Sequence, residues 1–225
     1  AIPHLFFAAE AGLKANFPML ARQYQRLNQE NRLELSDRLD SLLNKSPKNL
    51  DLLLALAILL ESKEQPLESI EILDRILNID PDHPQAILMK SSINLNEGQP
   101  KPLYEIEKAL KRNPENSNLR LEYAKLLTRL NLKDARIQFE ILSAEMPRNS
   151  ELLLSLALIN KEMKDITSAK AYLLKLISNN QKTDEARSFL AQIAETEVDL
   201  EGALKQYLLI TDGPEFLYAN SRIGA

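Results

Sequence analysis

Apolar residues along the chain recur with the period of an α-helix and are separated at intervals by turn-forming residues. The clearest example consists of Leu53, Leu56, Ala57 and Leu60. Their spacing of i, i+3, i+4 and i+7 places them on one face of a helix. After an interruption, Pro66 suits the first turn of a second helix, where its missing N–H costs nothing. The pattern predicts two helices joined by a short turn.

The second helix has its own apolar face, and a proline closes the block. That face consists of Ile70, Leu73, Ile76 and Leu77. Pro81 ends the block because proline cannot continue a helix and biases Asp80 away from the helical conformation. The predicted unit is therefore helix, turn, helix, turn.

This unit repeats along the chain with a period of 33 or 34 residues. A small residue recurs in each first helix, at Ala57, Ser91, Ala124, Ala157 and Ala191. A large residue recurs in each second helix, at Leu73, Ile106, Phe139, Leu173 and Tyr207. The small residues let the two helices of a hairpin approach closely, and the large ones fill the space toward the next hairpin. Self-similarity at such a period is the mark of a repeat architecture.

The repeat sets the expected boundaries of helices and domains. Ten helices are predicted over 49–62, 66–79, 83–97, 101–112, 116–130, 132–145, 149–163, 166–179, 183–196 and 199–211. They form five tandem units within 47–213, at about 48–81, 82–114, 115–147, 148–181 and 182–213. Residues 214–225 are predicted to be the first helix of a further, truncated unit, with Ala219 as its small residue. We therefore expect the chain to be a segment of a longer protein.

Residues 1–46 are predicted to form irregular helices of a degenerate repeat, over 2–14, 17–29 and 32–45. In one phase, 17–29 is a first helix with Ala21 as its small residue. In the other phase, 2–14 pairs with 17–29, and 32–45 is an unpaired helix. The sequence leaves both phases open.

The unit resembles the tetratricopeptide repeat (TPR), a 34-residue helix–turn–helix with the signature W-x2-L-G-x2-Y, A-x3-F and P. In the first copy these places hold Leu53, Leu56, Ala57 and Leu60, then Ser69 and Leu73, then Pro81. The chain departs from the signature by lacking Trp, by using Ala or Ser for Gly, and by placing Pro102 where Ala is usual. The resemblance implies an all-α fold, a right-handed α-α superhelix (solenoid) of 33/34-residue helix-turn-helix repeats.

The overall character also resembles bacterial TPR proteins of the cell envelope, including adaptor-type lipoproteins. This resemblance implies the periplasm or association with the outer membrane as the location, with the cytoplasm as the alternative.

Composition narrows the classes of function. The 28 basic and 32 acidic residues are interspersed without a basic stripe, so no nucleic-acid surface is expected. The longest apolar run, Leu52 to Leu60, is far shorter than the roughly 20 residues of a membrane-spanning helix. The chain has no cysteine, which excludes disulfides and thiolate chemistry.

No constellation of residues in the sequence indicates catalysis. The histidines are His4 and His83, and no phosphate-binding loop, nucleophile elbow or zinc-protease motif occurs. Asp80, Asp82 and His83 are a candidate metal set, but we favour a solvated turn with Asp82 near a helix N-terminus. The sequence therefore predicts no enzyme, no cofactor, no metal site and no small-molecule substrate.

In the family that the chain resembles, first helices line a concave face that binds peptides or protein segments. The positions one residue after the Leu53 and Ala57 places should point toward that face. These groove positions are Leu54, Ile58, Leu88, Ser92, Leu121, Lys125, Leu154, Leu158, Ser188 and Gln192. In the alternative interpretation, their leucines pack between neighbouring first helices and are mostly buried. A receptor for chaperone tails is rejected, because Lys125 alone cannot clamp a terminal carboxylate.

Two functions follow. The first is a non-catalytic scaffold or adaptor that binds a peptide or protein segment on the concave face. The alternative is a self-associating structural subunit that builds a larger assembly, a homo-oligomer included, through its convex face or uncapped ends.

Overall fold

The computed structural model describes residues 17–211 and 213–223, and these residues contain α-helices, one 3-10 helix and no strand. The α-helices are α1 (Phe17–Arg22), α2 (Gln29–Lys45), α3 (Leu50–Ser62), α4 (Pro66–Ile79), α5 (Pro84–Asn96), α6 (Tyr104–Arg112), α7 (Ser117–Leu127), α8 (Leu132–Glu145), α9 (Ser150–Glu162), α10 (Ile166–Ser178), α11 (Thr183–Thr196), α12 (Leu200–Tyr207) and α13 (Gly213–Ile223). The predicted helix over 2–14, which includes His4, lies outside the described residues.

The chain divides into two compact units, Ala1–Glu115 and Asn116–Ala225. In the first unit, α3 and α4 form a tight hairpin, and α4 packs against α5. In the second unit, each of the helices α7 to α12 packs against the next one along the chain, and α13 packs against both α11 and α12. These stacked hairpins confirm the predicted all-α repeat class. The exact division into five tandem units stays a prediction.

Asparagine side chains set the start of three first helices. The backbone N–H groups of Leu52, Leu119 and Leu152 donate to side-chain oxygens of asparagine, at 3.1, 3.0 and 3.2 Å. The acceptors are Asn49, Asn116 and Asn149, each the residue before the helix. Such caps satisfy N–H groups that have no partner within the helix, which explains why the first helices begin where they do.

Four helix boundaries differ from the predicted ones. The stretch predicted as one helix over 17–29 is instead α1 and a 3-10 helix, Tyr24–Arg26, because Asn28 caps α2 and starts it at Gln29. The helix α6 begins three residues late, since Lys101 has a positive φ of 53° that no α-helix accommodates. Two helices end early, α7 at Leu127 and α12 at Tyr207.

The small residues of the first helices are all buried. All five, from Ala57 to Ala191, are at most 1% exposed. Opposite Ala57, the buried hydroxyl of Ser69 donates to the Ala57 carbonyl oxygen over 2.9 Å, so the two helices are within hydrogen-bond reach. The large residues of the second helices are also buried, as expected for residues that fill space between hairpins.

The turn inside a hairpin has the same geometry in four copies. Each contains one residue in the left-handed region, with φ of 61° to 63°: Glu64, Gly98, Lys164 and Val198. The following residue donates its N–H to a carbonyl five residues earlier, as Asp199 does to Ala194 over 2.8 Å. This is the Schellman motif, in which glycine is the residue that adopts the conformation without strain. Of the four turn residues, Gly98 is the one glycine.

A partly buried ionic triad joins three helices of the first unit. Lys90 on α5 donates to Asp74 on α4 at 2.5 Å and to Glu105 on α6 at 3.1 Å. The Lys90 side chain is only 13% exposed. Burial alone lowers the pKa of Lys90, but the hydrogen bonds and charges of Asp74 and Glu105 outweigh it and raise the pKa above its ordinary value.

Exchanging residues between two equivalent turns tests the left-handed geometry. Val198 is 79% exposed, so Val198→Gly removes backbone strain with little loss of packing. Removing the strain stabilises the folded state by about 1–2 kcal/mol. The greater freedom of glycine in the unfolded chain offsets about 0.5–1 kcal/mol of this gain. We expect a gain of up to about 1 kcal/mol in the free energy of unfolding, measured by urea denaturation. Gly98→Val should lower the free energy of unfolding. A Cβ at this position meets no other atom, so the strain of the left-handed backbone is the expected cause. Equal midpoints for all three proteins would contradict this.

Replacing Lys90 by Met keeps an unbranched side chain but removes the charge. The free energy of unfolding at neutral pH should fall by about 1–3 kcal/mol, the cost of losing hydrogen bonds to charged groups. Because the folded pKa is raised, the triad contributes fully below the unfolded pKa of 10.5 and is lost as pH rises through the folded pKa. The difference between the wild type and Lys90→Met should therefore shrink in alkali. A difference that stays constant above pH 10.5 would contradict this, and the exposed Lys175→Met serves as the control.

Candidate functional site

Burial divides the predicted groove positions into three groups. Leu54, Ile58, Leu154 and Ser188 are buried. Leu88, Ser92, Leu121, Leu158 and Gln192 are half-buried, and Lys125 is exposed. The positions therefore do not form one uniform open surface.

In the first unit, the buried positions belong to the core. Leu54 and Ile58 share a cluster with Leu20 and Ala21, since α1 packs directly on α3. This is the arrangement of the alternative interpretation, in which groove leucines pack between helices. In the second unit, Leu154 joins the core of α9, α10 and α11, while Leu158 packs at its border. The least buried of the groove positions thus lie in the second unit and on α5.

A cavity of about 250 Å³ lies between α11 and α13 in the second unit. Its lining residues are Glu185, Ser188, Phe189, Gln192, Pro214, Glu215 and Tyr218. Those from α11 are spaced i, i+3, i+4 and i+7 and so form one helical face. Two of them, Ser188 and Gln192, are groove positions, and the Gln192 amide donates to the Ser188 hydroxyl over 3.4 Å.

Two aromatic rings form walls of the cavity. The ring of Tyr218 meets that of Tyr207 edge to face, with centroids 6.0 Å apart, so α12 supports it. Phe189 is half-buried, and the Lys161 ammonium on α9 lies 5.6 Å from its ring centroid. That distance is within the range of cation–π attraction.

Ion pairs surround the cavity and hold its helices in place. Lys182 lies 3.0 Å from Glu151 and 3.3 Å from Glu185, which ties the start of α11 to the start of α9. Hydrogen bonds to Glu151 and then to Glu185 raise the pKa of Lys182. At the other end, Arg222 of α13 pairs with Glu195 of α11 at 2.9 Å.

The hydroxyl of Tyr207, whose ring supports Tyr218, has a raised pKa. Burial is the larger cause, and the contact with Tyr218 adds to it.

The sequence did not single out the other lining residues. Phe189 and Glu185 could have been found from the helical spacing around Ser188. Tyr218 and Glu215 could not, because α9 and α11 begin 33 residues apart whereas α11 and α13 begin only 30 apart. The period therefore loses its register before α13, and Ala219, although buried as a predicted small residue, is out of step with the series.

The candidate metal set at the start of α5 has structural roles. His83 caps α5, and its Nδ1 accepts from the Ala86 N–H over 3.3 Å. Asp82 accepts from both Nε and Nη2 of Arg112, at 2.9 and 2.7 Å. Asp80 accepts from the Asp82 N–H over 3.1 Å. In the described part of the chain, no group of three His, Cys, Asp or Glu side chains has metal-binding geometry. Among the same residues, no helix combines the length and apolarity that crossing a membrane requires.

Comparison with known proteins gives one local sequence match and several matches of fold. The family described as "Tetratricopeptide repeat" matches residues 150–183, the hairpin of α9 and α10 with the turn that follows. No curated protein matches the chain significantly.

Several solved structures share the fold at low sequence identity. A tetratricopeptide repeat protein from Parabacteroides merdae is 19% identical, with 92% of this chain and 82% of that one covered and a TM-score of 0.55. PilF of Pseudomonas aeruginosa is 15% identical, with coverages of 91% and 95% and a TM-score of 0.58. YrrB, described as a TPR protein with an unusual peptide-binding site, is 16% identical, with coverages of 81% and 97% and a TM-score of 0.55.

At these identities the matches show the fold alone, and that fold is the one the sequence period predicted. The chain has the helical-repeat architecture of the tetratricopeptide-repeat proteins and carries a recognisable tetratricopeptide repeat at residues 150–183.

Proposed function

We propose that the chain is a non-catalytic scaffold that binds a peptide or protein segment on the first-helix face of its second unit. The fold is in general one of protein–protein interaction scaffolds. The observation that carries the proposal is the cavity between α11 and α13, because the groove positions Ser188 and Gln192 line it. Both residues are groove positions that the repeat period predicts.

The size of the cavity favours a side chain as its occupant. Sites for drug-sized molecules usually enclose about 300–1,000 Å³, and this cavity, at about 250 Å³, falls below that range. A single protruding side chain of a longer segment fits it better than a free metabolite. The rest of such a segment then needs further surface on the neighbouring first helices.

The neighbouring first helices of the second unit offer that surface. Leu158 on α9 and Leu121 on α7 are half-buried groove positions, and Lys125 beside Leu121 is exposed. An apolar patch with a polar border is the usual composition of a peptide-binding surface. In the first unit, the groove positions on α3 are covered by α1, so we place the segment on the second unit.

A random peptide library selected on the immobilised chain tests this proposal. Selected peptides should bind the wild type and lose about tenfold in affinity for Gln192→Arg, a change of about 1.4 kcal/mol. The loss is expected because a long charged side chain would occupy the cavity. Fluorescence anisotropy of labelled peptides measures the affinities.

The matched control is Leu174→Arg on α10, a second helix, where the leucine is 56% exposed. The same introduced residue should leave peptide binding unchanged there. Peptides that respond to Leu174→Arg and ignore Gln192→Arg would place binding on the second helices and overturn the proposal. Self-association through such a surface stays an alternative hypothesis, which light scattering over a dilution series checks.

A further inference from the structure

The cavity between α11 and α13 is acidic and aromatic. Two of its seven lining residues are carboxylates, Glu185 and Glu215, and two are aromatic rings, while none is a lysine or an arginine. Carboxylates attract cations by charge, and aromatic faces attract them through the ring quadrupole. A cavity lined by both is therefore complementary to a positively charged group.

The two carboxylates differ in how far their charge is already balanced. Glu185 has a cation, Lys182, at 3.3 Å, which it shares with Glu151. The ion pairs formed among the described residues include no partner for Glu215. A Cβ at Gly213 would lie 3.1 Å from a Glu215 carboxylate oxygen, so glycine there leaves room for that carboxylate. Glu215 is thus the carboxylate that can form an ion pair with a cationic ligand.

One aromatic ring of the cavity already contacts a cation of the protein itself. The Lys161 ammonium lies over Phe189, one of the lining rings, at 5.6 Å. Tyr218, the second ring, is held edge-on by Tyr207 and keeps much of its surface exposed. A planar cation entering between α11 and α13 would meet Tyr218 and Glu215 together, both on α13 and three residues apart.

We propose that this cavity is a subsite for an arginine side chain of the bound segment. The proposal rests on the proposed function, since it names the residue that the segment places between α11 and α13. Arginine is favoured over lysine because its planar guanidinium can stack on an aromatic ring while donating two hydrogen bonds to one carboxylate. The segment is thus a peptide with a basic residue, bordered by apolar residues that reach Leu158.

Two blocked pentapeptides test the subsite directly, one with a central arginine among alanines and one with citrulline in its place. Citrulline has nearly the same shape but no charge. In a titration followed by amide chemical shifts of the wild-type protein, the arginine peptide should shift Ser188, Gln192 and Tyr218. Its dissociation constant should be on the order of 1 mM, the scale of a ligand with few contacts. The citrulline peptide should bind at least about tenfold more weakly.

Glu215→Gln should abolish most of this preference while leaving the weak citrulline binding unchanged. Glu201→Gln, an exposed carboxylate in the first turn of α12, is the matched control and should have no effect. The unperturbed shifts of α9 and α10 show in the same spectra that each variant is folded.

The outcomes separate this proposal from the one on which it rests. Equal shifts from the arginine and citrulline peptides, or no shift of the lining residues, overturn the arginine subsite. If library peptides still depend on Gln192 but contain no conserved basic residue, the subsite is wrong and the binding face stands. If no peptide depends on Gln192, both proposals fail.

Discussion

The structure depends on how closely two helices of a hairpin can approach. At Ala57 and its counterparts the side chain is a methyl or hydroxymethyl group, and at Ala57 the partner helix lies within hydrogen-bond distance of the backbone, as Ser69 shows. Larger residues there would separate the helices, and close-packed interiors tolerate such overpacking poorly. Each hairpin therefore needs a small residue where its two helices meet. The large residue of its second helix can then pack on the next hairpin. The repeat period is the consequence in sequence of this steric limit.

The sequence was sufficient for the parts of the fold that follow from periodicity. Helix positions, the buried small residues and the hairpin pairs all follow from apolar spacing, and most helix ends agree within one or two residues. One of the boundaries that differ depends on backbone conformation, since Lys101 before α6 has a positive φ. Val198, in a turn that the sequence placed correctly, also has a positive φ. Propensity alone assigns neither residue to the left-handed region.

The candidate site shows a different limit of sequence reasoning. The period predicted groove positions on the first helices, but it could not say which neighbouring helix covers each of them. Leu54 and Ile58 are buried because α1 lies on α3, a contact made by a segment with only a loose match to the repeat. Gln192 lines a cavity because α13 begins early and diverges from the series. In both places, departures from the repeat decide whether a groove position is core or surface.

The helix α12 and the turn before it combine several features that lower the free energy of local opening. The helix α12 has only eight residues, the turn before it contains the left-handed Val198, and Leu200, Leu204 and Leu208 remain exposed. Regions with few buried contacts open at a lower free energy than the rest of a protein. The α13 wall of the cavity packs on α11 and α12, whereas the α11 wall also belongs to the core that α11 forms with α9 and α10. A ligand seated between them would contact one wall of each kind, so part of its binding free energy would stabilise the attachment of α13 to α11.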